Sequence, residues 1–421
     1  MTSATETAPP HPSASLLQSS VLIACLSALL GSLDSAINIG FPAITAAFGL
    51  EVTAIQWVIV GYVLTHACLL LACGALADRW GHGRVLVYGL AVSAAGFTCC
   101  GIAPSFVWLV AGRIIQGGGA ALVFATAPAL VTLAVAPERR GRALGIYQMC
   151  NAVGYAVGPL IGGILIDGFG WRATFLFRVA PALVLAAIAA FILPALAEPK
   201  RRERANAPWI ELTLARPAPF IIANLLSALA NCARFAIGLL LPYYVINVLR
   251  YPATTGGTLM LATYLLTILA APLAGKLSDR IGTARLSSLG LAVQGFGLWL
   301  VSRLNGETEY FALALALGVV GLGLGTFEAP NLSFIMGAIP RSQQGVAGSI
   351  ASMMRPIGIV LGATGWSLLY DWRRHVYSAP GGQPSPLNAA MLPALQDVFL
   401  TAAVVCWIAC ALSLWRKPEA G

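Results

Sequence analysis

Long apolar runs broken by short polar turns dominate the chain. A hydrocarbon core about 30 Å thick is crossed by about 20 apolar residues wound as an α-helix. Twelve such runs can be placed, at approximately residues 19–44, 55–77, 84–103, 106–135, 142–167, 172–195, 218–248, 256–277, 285–304, 310–338, 345–369 and 396–415. The longest polar interval, about 197–217, separates runs 6 and 7 and carries Lys200, Arg201, Arg202 and Arg204. The expected fold class is therefore an all-α membrane protein with twelve transmembrane helices in two six-helix halves. The expected divisions are a disordered cytoplasmic tail (1–17), a first half (18–196), a cytoplasmic linker (197–217), a second half (218–416) and a short tail (417–421).

Composition supports the membrane reading. Of the 421 residues, 58% are hydrophobic and 10% charged, against about 25% charged in soluble domains. The net charge of +9 matters less than where the basic residues fall. With the N-terminus in the cytoplasm, sixteen Lys and Arg lie in inner segments and five in outer ones, while Arg113, Arg178, Arg234 and Arg355 lie within spans. That bias places both termini inside a multi-pass plasma (inner) membrane protein. Residues 1–17 hold no Lys or Arg, so the basic start of a secretory signal is missing. The nine cysteines fall in apolar runs without metal-ligand spacing and read as small buried hydrophobes. Neither a disulfide framework, a metal site nor a cofactor is expected.

The two halves echo each other. Residues 74–84, GALADRWGHGR, and 275–285, GKLSDRIGTAR, agree at six of eleven positions, and each follows the second span of its half. A second echo pairs PERRG at 137–141 with PRSQQG at 340–345. Two matches in the correct order point to an internal duplication of the kind found in transporters.

At these residues the chain resembles the major facilitator superfamily, and within it the drug–proton antiporter group. Four stretches carry the likeness: Gly74-Ala75-Leu76-Ala77-Asp78-Arg79-Trp80-Gly81; Leu109 with Arg113-Ile114-Ile115-Gln116-Gly117; Gly154 with Gly158-Pro159-Leu160-Ile161-Gly162-Gly163; and Leu33-Asp34-Ser35-Ala36-Ile37-Asn38 with Pro42. The resemblance covers about residues 19–415. It implies the major facilitator fold and alternating access. It also implies a cavity formed mainly by spans 1, 4, 7 and 10, and proton-coupled work for the acid of span 1 and the Arg of span 4.

Each stretch has its own physics. The backbone reverses in very few residues between spans 2 and 3, and Gly81 and Gly83 permit positive φ there. Asp78 is expected to cap the next helix or to pair with Arg79, Arg84 or Arg142. With its copy at Asp279 and Arg280, the loop reads as a latch between states; alone it would read as a solvated turn. His82 stands where the family has a basic residue, which would make the latch partly pH-dependent. In span 5, Gly154, Gly158, Gly162 and Gly163 leave a smooth face for close helix approach, and Pro159 permits a bend. Such faces are common in membrane helices; the resemblance links this one to antiporters, and so to export.

Ionisable residues at membrane depth are costly and usually functional. At about 1.5 Å per residue, Asp34 and Arg113 each lie roughly 10 Å below the outer surface, so a direct or water-bridged pair is feasible. Asp34, Arg113 and Glu328 are the candidates for proton coupling. Asp34, Asn38, His66, Asn231, Arg234, Glu328 and Arg355 are the candidates for lining the substrate cavity. Glu328 has three open readings: a site for a cation, a proton carrier, or a partner of Arg355. Arg178 follows Phe175-Leu176-Phe177 and is expected to snorkel to the outer interface. His66 reads more readily as a hydrogen-bonded packing residue than as a proton carrier. Four span arginines against two interior acids suit an anionic, zwitterionic or neutral cargo better than a cationic one.

Other classes fit poorly. Ala270 to Leu277 fails the phosphate-loop pattern at both ends, and the GLGLG at 321–325 lies in an apolar span and reads as helix packing. An enzyme needs convergent nucleophile and base or paired metal ligands, and four scattered His do not supply them. No channel selectivity filter is visible, and nothing suggests nucleic acid as a partner. The expectation is a monomeric secondary transporter, a proton-coupled exporter of small organic molecules. The runner-up is a facilitator or proton symporter of the same fold importing a metabolite, with a non-transporting receptor behind it.

Overall fold

The computed structural model describes residues 14–136, 139–193, 218–339, 344–378 and 387–415. Helices run antiparallel through it. Span 1 is α1 (Ala14–Ser32), a 3₁₀ segment (Leu33–Gly40) and α2 (Phe41–Phe48). Spans 2 to 5 are α3 (Gln56–Trp80), α4 (His82–Gly101), α5 (Phe106–Leu133) and α6 (Arg140–Phe169). Span 6 is broken into α7 (Ala173–Leu176) and α8 (Val179–Ile192). The second half comprises α9 (Ala218–Tyr243) with a π turn (Tyr244–Val248), α10 (Ala253–Ile281), α11 (Thr283–Ser302), α12 (Tyr310–Gly337), α13 (Gln344–Tyr377) and α14 (Leu387–Leu414).

Eleven of these passes are long and apolar enough to cross a membrane. The twelfth, α13, has the length: its 34 residues span about 50 Å. Arg355 and many Gly, Ser and Thr lower its hydropathy. With twelve passes, both ends of the described chain emerge on one face, termed here the terminal face; the opposite face is the distal one.

The repeat is written into the backbone. Gly81 (φ +92°, ψ +133°) ends α3, and Gly282 (φ +91°, ψ +141°) ends α10, each receiving the chain one residue before the next helix. Those dihedrals favour glycine. Gly83, expected to share that role, lies within α4 instead; a Cβ there would come within 2.8 Å of the Leu193 side chain. Packing repeats as well. In the first half α5 lies against α3 and α4, and in the second α12 lies against α10 and α11. The halves meet through α6 on α10 and α3 on α13, which are equivalent pairs under the duplication.

The smooth face of α6 is used along its length. A Cβ on Gly154 would sit 2.7 Å from the Leu29 carbonyl oxygen of span 1, and one on Gly163 would sit 2.6 Å from the Ala253 carbonyl oxygen of α10. Gly158 and Gly162 press against Ser35 and Ala36 of the 3₁₀ segment, and the Pro159 carbonyl abuts Gly257. Ser35 Oγ donates to the carbonyls of Ser32 (3.2 Å) and Tyr155 (3.1 Å). Hydroxyl bonding to nearby backbone competes with α-helical order, and here it accompanies the change of winding at Leu33.

Candidate charged cavity between the halves

Asp34 is the centre of a buried knot built from three spans of the first half. The 3₁₀ segment presents its carboxylate to α5 and to the break between α7 and α8. Arg113 of α5 grips it with both terminal nitrogens, Nη1 to Oδ1 at 2.7 Å and Nη2 to Oδ2 at 2.9 Å. Gln116, one turn on, donates to Oδ1 at 2.7 Å. Arg178 donates to the same oxygen at 3.0 Å. Arg113 is fixed further by bonds to the Val58 carbonyl (2.9 Å) and Gln116 Oε1 (2.7 Å), and it lies 4.4 Å over the Tyr62 ring. Exposure is 8% for Asp34, 2% for Arg113 and 0% for Arg178. A fork-shaped guanidinium meets a carboxylate in two parallel bonds, the strongest form of this contact.

Arg178 corrects the sequence reading. It does not snorkel: it sits in the knot, 4.3 Å over the Phe97 ring, with Nε and Nη2 buried and unbonded. The break between α7 and α8 turns its side chain inward.

The knot forms one wall of a cavity of about 540 Å³ of open space, in part continuous with solvent. Asp34, Asn38, Tyr62, Arg113 and Tyr155 line it from the first half, and Arg234, Phe235, Tyr264 and Arg355 from the second. Arg234 packs beside Tyr264, 5.9 Å from its ring with a 3.5 Å contact to its hydroxyl. Arg355 reaches across the halves to stack over Tyr155 at 4.4 Å.

On the distal side the halves are bonded together. Asp167 of α6 accepts from the backbone N–H groups of Ala253 (3.0 Å) and Thr254 (2.8 Å) and from the Thr254 hydroxyl (2.6 Å). Glu51 pairs with Arg374, Tyr243 contacts Thr45 at 3.5 Å, and Ser367 donates to Gln56 at 3.3 Å.

The family model described as Major Facilitator Superfamily matches residues 23–363 and, in a second match, 223–420. The chain belongs to the Major Facilitator Superfamily. Relatives of this superfamily chain include the riboflavin transporter RibZ of Clostridioides difficile, 26% identical, with 83% of this chain and 87% of that protein covered. The multidrug resistance protein Stp of Mycobacterium tuberculosis is 28% identical over 80% of this chain and 72% of its own. The methylenomycin A resistance protein of Streptomyces coelicolor is 25% identical over 82% and 84%. Among solved structures, a bacterial homologue of the human lysosomal transporter Spinster superposes with a TM-score of 0.78 at 17% identity, covering 97% of this chain and all of that one. The chain is a transporter of the superfamily, built as a multi-pass membrane protein.

Within the superfamily frame, the expected site residues separate. Asp34, Asn38, Arg113, Arg234 and Arg355 converge on the cavity. His66, Asn231 and Glu328 are not part of its lining. His66 lies between the rings of Tyr62 (6.1 Å) and Phe124 (5.4 Å), its Nε2 buried and unbonded. Asn231 is buried in α9 and donates to the Ser227 carbonyl at 3.0 Å. Glu328 is half-buried on α12 and acts on Arg355 through space without forming an ion pair with it. Asp78 makes no cap and no pair with Arg79, Arg84 or Arg142 among the described residues; its ionic contact is His82, one turn on, at 3.6 Å. Asp279 and Arg280 lie at the end of α10 with no ion pair among the described residues. Pro137, Glu138 and 340–343 of the second echo, and the basic segment 197–217, lie outside the described residues. Gln116, Tyr155 and Tyr264 carry no sequence signal as site residues, and Arg178 is a span arginine expected at the interface instead. The surplus of span arginines over acids was the available signal for Arg178.

Proposed function

We propose that this superfamily transporter is a proton-coupled exporter of small organic molecules that works by alternating access as a monomer in the plasma membrane, with both termini cytoplasmic. The observation that carries the reading is the Asp34–Arg113–Arg178 knot, which forms a wall of the cavity between the halves. A carboxylate shared by two guanidiniums binds a proton only when that grip opens, and the grip depends on how spans 1, 4 and 6 pack. Movement of the spans therefore couples to protonation, which is what exchange of cargo for protons requires. The distal contacts between the halves fit a state that faces the cytoplasm. Gly154, Gly158, Pro159 and Gly162 serve as the sliding face of span 5. Gly74, Asp78, Arg79, Gly81 and Arg84, with Asp279 and Arg280, serve as cytoplasmic gates. Glu328 is retained as a second proton site through its field on Arg355. Names of relatives such as Stp and the methylenomycin A resistance protein support the efflux reading.

The test is transport in proteoliposomes under an imposed pH gradient. Export driven by the gradient, lost in Asp34→Asn, supports the reading; full gradient-driven export by Asp34→Asn sinks the assignment of Asp34. A second reading rests on one observation: every bond to Asp34 stays within the first half. The knot would then be a fixed brace in a facilitator or proton symporter that imports a metabolite. For the facilitator, uptake down the cargo's own gradient, indifferent to pH, would establish that alternative. For the symporter, the imposed gradient would drive uptake in place of export.

A further inference from the structure

We propose that Arg234 and Arg355 form a clamp for the carboxylate of an aromatic organic anion, with Tyr155, Tyr264 and Phe235 receiving its ring. The inference deepens the transporter reading and rests on the same cavity. It does not depend on direction or ion coupling.

Arg234 is 7% exposed, and Arg355 is half-buried with its guanidinium over Tyr155. Among the described residues, neither has a carboxylate oxygen within 4.0 Å. Arg234 has a single long contact, 3.5 Å to the Tyr264 hydroxyl. Guanidiniums removed from water without an anion are costly and are normally paired. The one acid that lines the cavity cannot serve, because Arg113, Arg178 and Gln116 already occupy Asp34. Glu328 lies outside the lining. The lining of the free space therefore carries three guanidiniums and one engaged carboxylate, a surplus of positive charge.

The rest of the lining sets the shape of the ligand. Tyr62, Tyr155, Tyr264 and Phe235 provide flat apolar faces, and Asn38 an amide. A planar carboxylate suits two forked donors arriving from α9 and α13, both in the second half. Binding there would neutralise the second-half wall and leave the Asp34 knot of the first half intact.

The experiment uses the full chain in nanodiscs and three probes on one scaffold: 1-naphthoate, 1-naphthamide and 1-naphthylmethylamine. Binding is read by tryptophan fluorescence and by calorimetry, without transport. The carboxylate is expected to bind about 10- to 100-fold tighter than the amide, the range of one charged hydrogen-bonded contact, and the amine not at all. Arg234→Gln and Arg355→Gln should each lose about the same factor for naphthoate and little for naphthamide, and Arg234→Lys should recover part of it. Equal or preferred binding of the amine overturns the proposal, as does undiminished naphthoate binding by both Gln variants. Failure of naphthoate to bind the wild type also overturns it. If a Gln variant does not fold, the wild-type series and the other variant still decide. Gradient-driven export of a neutral or cationic cargo alongside any of those failures would leave the exporter reading standing while removing the anion clamp.

Discussion

Asp167 of α6 caps the first turn of α10 across the boundary between the halves, its two carboxylate oxygens meeting the N–H groups of Ala253 and Thr254 at 3.0 and 2.8 Å. An acid at a helix N-terminus interacts favourably with the unsatisfied amides there, by about 0.3–1 kcal/mol at exposed sites. This contact therefore ties α6 to α10 on the distal side with modest energy. In Asp167→Asn one charged acceptor is lost, and amide exchange at residues 253–256, followed by hydrogen–deuterium exchange mass spectrometry, should accelerate. Unchanged exchange there would mean that the Asp167 contact does not hold the first turn of α10.

The charge balance of the knot predicts an unequal pair of mutants. Two guanidiniums on one carboxylate leave a buried excess of one positive charge. Asp34→Asn leaves both cations unopposed, a loss expected to cost about 3–5 kcal/mol. Arg178→Gln removes the excess cation and should lower thermal stability far less. The double variant Asp34→Asn/Arg178→Gln should be more stable than Asp34→Asn alone, and it provides a folded background for the transport test. A thermal-melting series in detergent checks the order; additive losses would contradict the shared-charge account.

Two alanine substitutions on one helix should behave oppositely. Gly163→Ala drives a methyl into the Ala253 carbonyl, whereas Gly145→Ala meets open space. Overpacking costs about 1–3 kcal/mol, so Gly163→Ala should lower the melting temperature and slow transport, with Gly145→Ala close to wild type. Equal behaviour of the two would mean that the α6–α10 approach is not rigid.

The duplicated turns predict a matched pair. Gly81→Ala and Gly282→Ala each place a Cβ at φ near +90°, with strain of about 1–3 kcal/mol. Both should destabilise by similar amounts, whereas Gly74→Ala, in the same loop motif with nothing within 4 Å, should not. Melting curves of the three variants test it.

Much of this was legible in the chain. Asp34 and Arg113 could be placed at one depth because helix rise is constant, and the repeated loop announced the two-fold plan that Gly81 and Gly282 now show in their dihedrals. α13 was recognisable from its length and its place in the repeat, although Arg355 and its small polar residues weaken its hydropathy. Depth says nothing about rotation, and that is where sequence reasoning failed. Arg178 turns inward because span 6 breaks at Phe177, which no periodicity marked. Glu328 and Arg355 share neither a lining nor a bond, because α12 contributes no residue to the lining of this cavity. Asp78 finds His82 on its own stretch of chain and not an arginine across the loop.

The eight residues Leu33–Gly40 that carry Asp34 are wound as 3₁₀ helix, which advances about 2.0 Å and 120° per residue where an α-helix advances about 1.5 Å and 100°. Rewinding that segment as α-helix would draw span 1 in by about 4 Å and turn its distal end by about 160° relative to its root. Span 1 thus holds a reserve of length and rotation inside an unbroken rod. The acid most tightly held by the first half sits near the root of that stretch, so a change of winding would turn the distal end of span 1 relative to the Asp34 knot.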